Sequence, residues 1–71
     1  MNAKEVGCTL VALRGEKTQE KVANDLGIST SALSMYEQGR RIPRDSVKIR
    51  IAKYYNTTVE YIFFTDNQHE T

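Results

Sequence analysis

The chain has 71 residues, of which 27% are charged, and a formal net charge of only +1. That length allows one small domain, which buries only about 60% of the surface its unfolded chain exposes. One cysteine, Cys8, excludes an intrachain disulfide, and one histidine, His69, leaves no Cys/His cluster to hold a structural zinc, so a compact helical core, with or without help from dimerisation, is the remaining option.

Five helical segments and no strand follow from the apolar spacing, which makes the expected fold all-α. Val6, Leu10 and Leu13 recur at i, i+4 and i+7, so residues 3–13 form a first helix that ends near Gly15. Thr18 is an N-cap for a second helix, Gln19 to Leu26, whose apolar face is Val22, Ala23 and Leu26. Gly27 supplies the left-handed conformation that ends it. Ser29 caps a third helix through Gln38, with Leu33 and Tyr36 turned inward at i, i+3, and Gly39 ends it. Ile42-Pro43 breaks the chain. Asp45 is expected to cap a fourth helix to about Tyr55, with Val47 and Ile51 on its buried face. Thr57 or Thr58 caps a short fifth helix, Val59 to Phe63, and Thr57 with Glu60 fits a capping box. Residues 66–71 form a polar C-terminal tail.

Charge is distributed unevenly. Residues 40–53 carry Arg40, Arg41, Arg44, Lys48, Arg50 and Lys53 against Asp45 alone, whereas residues 60–71 carry Glu60, Asp66 and Glu70 and no base. The first twenty residues are rich in charge, which argues against a secretory leader, and no apolar run is long enough to span a membrane. A cytoplasmic, reducing setting is therefore expected, with Cys8 as a small apolar side chain and the sequon-like Asn56-Thr57-Thr58 a coincidence.

The informative unit is QEKVANDLGISTSALSMYEQ, residues 19–38. Two short helices joined only by Gly27-Ile28-Ser29 must cross steeply. Ala23 is small enough for the crossing, Gly27 takes the positive φ, and Val22, Leu26, Ile28, Leu33 and Tyr36 clasp the corner. With Leu33 and Tyr36 inward, the outward face of the third helix reads Thr30, Ser31, Ser34, Met35 and Gln38. Its hydroxyls and amide suit base edges in a major groove, and Met35 suits a thymine methyl. The flanks suit phosphates: Thr18 and Gln19 open a helix with free N–H groups, and Arg40, Arg41 and Arg44 supply charge.

The stretch from Leu13 to Phe63, about three quarters of the chain, resembles the Cro/C1-type helix-turn-helix family, also called the XRE family. The resemblance rests on LR at 13–14, TQEKVANDLGIS at 18–29, SALSMYEQGRRIP at 31–43, IAKYYN at 51–56 and TVEYIFF at 58–64. It implies a compact five-helix, lambda-repressor-like DNA-binding domain over residues 1–65, whose third helix enters the major groove. By position, Thr30, Ser31, Ser34 and Met35 become base readers. Thr18, Gln19, Gln38, Arg40, Arg41 and Arg44 become backbone contacts, and Glu37 a brace for the turn arginines. The family's dimer contact falls on Tyr61, Ile62, Phe63 and Phe64.

Three departures stand out. The link between LR and TQ is about two residues short for the family, which predicts an early end to the first helix. Lys48 replaces a common leucine, which predicts a fourth-helix register centred on Val47, and Thr57 replaces a frequent valine.

Catalysis is disfavoured, because general acid–base or nucleophilic chemistry needs a positioned pair in a cleft and the one histidine lies in the tail. Plainer readings accompany the rest: Lys48, Arg50 and Lys53 are ordinary solvated charge. The expected function is a sequence-specific, homodimeric transcriptional repressor of a phage, mobile element or bacterial promoter, binding a palindromic operator in double-stranded DNA without cofactor or metal. No separate effector domain is expected, so a protein antagonist is one route of control. The rival reading is an antitoxin or protein-interaction regulator that works mainly through a partner protein, by way of the fifth helix and the acidic tail.

Overall fold

The computed structural model describes residues 2–64; the expectations for His69 and for the tail at 66–71 lie outside them. The chain folds into α1 (Ala3–Arg14), α2 (Gln19–Leu26), α3 (Thr30–Glu37), α4 (Asp45–Tyr54) and α5 (Val59–Phe63), with no strand among the described residues. The all-α, five-helix expectation is met.

Most helix starts are written in local side chains. Asn2 Oδ1 accepts from the Lys4 and Glu5 N–H groups, Thr18 Oγ1 from Lys21, and Ser29 Oγ from Ala32. Two sequence expectations fail here. Asp45 is the first residue of α4 rather than its cap; Arg44 takes that place with no side-chain bond, and Asp45 lies 3.4 Å from Lys48 Nζ. The Thr57–Glu60 box does not form, because Thr58 takes the extended cap conformation and its Oγ1 accepts from Tyr61 N–H.

The core draws on every helix: Val6 and Leu10 from α1, Val22, Ala23 and Leu26 from α2, Leu33 from α3, Ile51 and Ala52 from α4, Ile62 and Phe63 from α5. The short link after α1 is accommodated at Gly15, and α1 runs one residue beyond expectation, to Arg14. Val47 is half-buried against the core as expected, but Lys48 is nearly as enclosed, with its side chain 11% exposed. Its ammonium lies 5.7 Å from the ring centres of both Phe63 and Phe64, so an aliphatic stem fills the leucine position while the charge rests on aromatic faces. Lys48 is thus part of the packing between α4 and α5 rather than solvated charge. Cys8, in contrast, is exposed and not a core side chain.

Gly7, inside α1, has no counterpart in the sequence reading. A Cβ there would fall inside contact distance of the Glu37 carbonyl oxygen, 2.9 Å from its carbon and 3.1 Å from Gly39 N. The α1 backbone therefore rests directly on the C-terminal end of α3. This close seat fixes where α3 ends and where the following arginines emerge.

Candidate nucleic-acid interface

The turn between α2 and α3 is closed from both sides. Gly27 adopts φ +75°, and the Ile28 N–H reaches back to the Ala23 carbonyl at 3.0 Å, which ends α2 and tucks half-buried Ile28 under the corner. Ala23 is 1% exposed at the crossing, and Leu33 is 1% exposed beneath α3. A third element also holds the turn: Arg50 Nη1 donates to the Leu26 carbonyl at 2.8 Å. Arg50 is thus a cationic cap on the C-terminus of α2, not free charge on α4.

With Leu33 buried and Tyr36 half-buried, the outer surface of α3 carries Thr30, Ser31, Ser34, Met35 and Gln38. Thr30, Ser31 and Gln38 are exposed, Ser34 half-buried, and Met35 is 39% exposed. None is charged. Gln38 is not independent of Ser34: its Nε2 donates to Ser34 Oγ at 2.7 Å.

The charge begins where α3 stops. Gly39 turns at φ +75° and the Arg40 N–H closes onto the Met35 carbonyl at 3.0 Å. Half-buried Ile42 and buried Pro43 anchor the link, while Arg40, Arg41 and Arg44 stay exposed beyond the end of α3. At the start of α2, Thr18 Oγ1 accepts from the Lys21 N–H, so its hydroxyl proton is free to donate. Near it, Lys17 Nζ stands 5.1 Å from the ring centre of Tyr54. The Tyr54 hydroxyl donates to Asp25 Oδ2 at 2.7 Å, which with Lys21 holds the Asp25 carboxyl below its ordinary range.

Among the described residues Glu37 is the one buried charge, and its partners are not the turn arginines. Arg14 Nε donates to its Oε2 at 2.8 Å, Arg14 Nη2 to its Oε1 at 3.1 Å, and Gln19 Nε2 to Oε1 at 2.8 Å. Arg14 Nη1 also donates to the Lys17 carbonyl at 2.7 Å. One carboxylate therefore ties the end of α1 and the start of α2 to the last turn of α3. The surroundings are dry enough that burial, aided by the negative charge of Glu37, pushes the Tyr55 hydroxyl up to about 12. Gln19 is thus drawn partly inward as a brace. No local pattern connects residues 14, 19 and 37; the signal was present only as a charged residue on the inward-facing side of α3.

The family model for the helix-turn-helix matches residues 10–62. The chain belongs to the Cro/C1-type helix-turn-helix family. The matched span takes in the α2–α3 unit, the three arginines and nearly all of α5. Membership makes the protein a DNA-binding transcriptional regulator in general terms. No curated protein and no solved structure matches it. No helix among the described residues is long and apolar enough to cross a membrane.

The four residues expected at a dimer contact separate. Ile62 and Phe63 are 0% and 1% exposed and belong to the core, so they cannot form a surface. Tyr61 and Phe64 are 54% and 42% exposed. Ile49 on α4, 51% exposed and unremarked in the sequence, joins Phe64, Val59, Asp45 and Lys48 around a shallow groove between α4 and α5. Its signal was the apolar side chain itself, standing off the face that Val47 and Ile51 define.

Proposed function

We propose that the protein is a sequence-specific, dimeric repressor that lays α3 in the major groove of a promoter and blocks transcription by covering it. The observation that supports this most is the uncharged outer face of α3, bounded by Arg40, Arg41 and Arg44 where the helix ends. Thr30, Ser31, Ser34 and Met35 are the base readers in this reading. Thr18, Gln19 and the three arginines, with the backbone of Gln38, set the domain against phosphates.

Arg40→Ala or Arg41→Ala is expected to weaken binding to all DNA sequences alike. Each should lower the slope of log affinity against log salt by about one per bound subunit. Filter-binding titrations from low to high salt measure this, and unchanged slopes would remove the arginines from the phosphate contact.

The dimer is assigned to the exposed part of the α4–α5 corner: Ile49, Tyr61 and Phe64. Single exposed apolar residues are ordinary, but Ile49 and Phe64 line one groove, and Tyr61 stands three residues before Phe64. Phe64→Glu should leave the fold intact and abolish self-association in sedimentation, with affinity for a two-fold site falling by at least ten-fold. A strict monomer that binds such a site as tightly as wild type would refute the assignment. In run-off transcription from a promoter holding its site, added protein should lower transcript yield; a rise would make it an activator.

A further inference from the structure

We propose that Gln38 is a specificity-determining residue that acts through Ser34: it holds the Ser34 hydroxyl as a hydrogen-bond donor toward DNA, so that this position selects an acceptor base edge. The inference rests on the reading of α3 as the recognition helix. It goes beyond it by naming what one reader recognises and which neighbour decides that.

A serine hydroxyl has one proton and two lone pairs, and alone it turns to suit either a donor or an acceptor. Such a group distinguishes bases poorly. Ser34 is not alone. The Gln38 Nε2 donates to Ser34 Oγ at 2.7 Å, and the Gln38 backbone N–H donates to the Ser34 carbonyl at 2.9 Å. The side chains lie at i and i+4, one turn apart on the same helix face. Gln38 is the C-terminal cap residue of α3, so its backbone is held by the same turn that launches Arg40.

With one lone pair engaged by the amide, the hydroxyl proton points away from Gln38. Ser34 then presents a donor to the groove. In the major groove the acceptors are guanine O6 and N7, adenine N7 and thymine O4, whereas cytosine offers only its N4 donor. The base that Ser34 faces should therefore be guanine, adenine or thymine, with cytosine rejected. The Gln38 carbonyl oxygen and second N–H stay free for a further contact.

The test compares affinities for operators carrying each of the four base pairs at every position, for wild type, Ser34→Ala, Gln38→Ala and Gln38→Glu. Wild type is expected to reject cytosine at one position by about ten-fold. Ser34→Ala and Gln38→Ala should both erase that rejection, at the same position and nowhere else. Gln38→Glu carries only acceptors, so the Ser34 proton must turn toward it and expose the lone pairs. The preference should then reverse toward cytosine N4 or adenine N6, over a uniform loss from charge repulsion. A Gln38→Ala protein that binds every operator more weakly by one common factor, with the Ser34 position still selective, would overturn the coupling and leave α3 as the reader. If Ser34→Ala, too, kept the wild-type preference at all positions, the coupling and that contact by α3 would fall together. Melting curves for the variants close to wild type accompany the comparison, since both side chains lie on the outer face of α3.

Discussion

Glu37→Ala is expected to destabilise the domain by about 3 kcal/mol, the lower end of the range for stripping one partner from a buried ion pair. The lower end applies because the Arg14 side chain, 19% exposed, can recover some hydration and keeps its bond to the Lys17 carbonyl. The Glu37 side chain is only 3% exposed and accepts three hydrogen bonds, so nothing replaces it at the end of α3. Marginal stabilities of roughly 0.05–0.15 kcal/mol per residue put a chain of this length near 4–10 kcal/mol, so the loss is a large share of the total. In a domain this small it corresponds to a fall in melting temperature of about 12–24 °C. DNA affinity should fall with it, since the same carboxylate joins α1 and α2 to α3. A Glu37→Gln protein keeps the shape and one acceptor and should lie between the two. An alanine variant that melts within a degree or two of wild type would mean that the pair behaves as an exposed surface bridge, worth little.

Gly7→Ala carries the second large effect, and its sign is the point. Replacing glycine by alanine inside a helix ordinarily stabilises it by about 1 kcal/mol. Here the added methyl would meet the Glu37 carbonyl and lie 3.1 Å from Gly39 N, with backbone on both sides and no flexible side chain to give way. The expected result is a loss of about 1–3 kcal/mol, the range for forcing an extra carbon into a packed interior, with more for Gly7→Val. Gly39 faces the same seat from the other side, since its own Cβ would stand 3.0 Å from Lys4 Cα at a φ of +75°. A Gly7→Ala protein as stable as wild type, or more so, in a urea titration would show that α1 does not rest on the end of α3 as described.

These two positions also mark where reading the sequence stops short. Helices and their caps depend on near neighbours, so Thr18, Ser29 and Gly27 announce themselves, and the period of apolar residues gives Leu33 a buried place without any structure. The outer stripe of α3 follows from that inward residue and from the short turn before it. Glu37 was legible as a charged residue of special role, yet its partners sit 23 and 18 residues away, and no local period reports such a pairing. The same holds for Arg50 and the Leu26 carbonyl, 24 residues apart. Gly7 passes unnoticed within the helical pattern of α1, and only the approach of another backbone gives it a role. At the α4–α5 corner, Phe63 and Phe64 part in sequence, since neighbours cannot share one helix face, but nothing local removes Ile62 and Phe63 from a dimer contact. Burial separates the two that hold the core from the one left at the surface.

In the proposed function, two copies of α3 read DNA through the stripe from Thr30 to Gln38. Selecting bound sites from random duplex DNA, with wild type and with a Ser34→Ala, Met35→Ala double variant, tests it most directly. The wild-type protein should enrich a two-fold palindrome whose half-sites are centred about one helical turn, 34–36 Å, apart. The double variant should lose preference at positions within each half-site, at about 1–3 kcal/mol per lost base contact. Enrichment of the same palindrome by both proteins, or of no palindrome by either, would contradict the account.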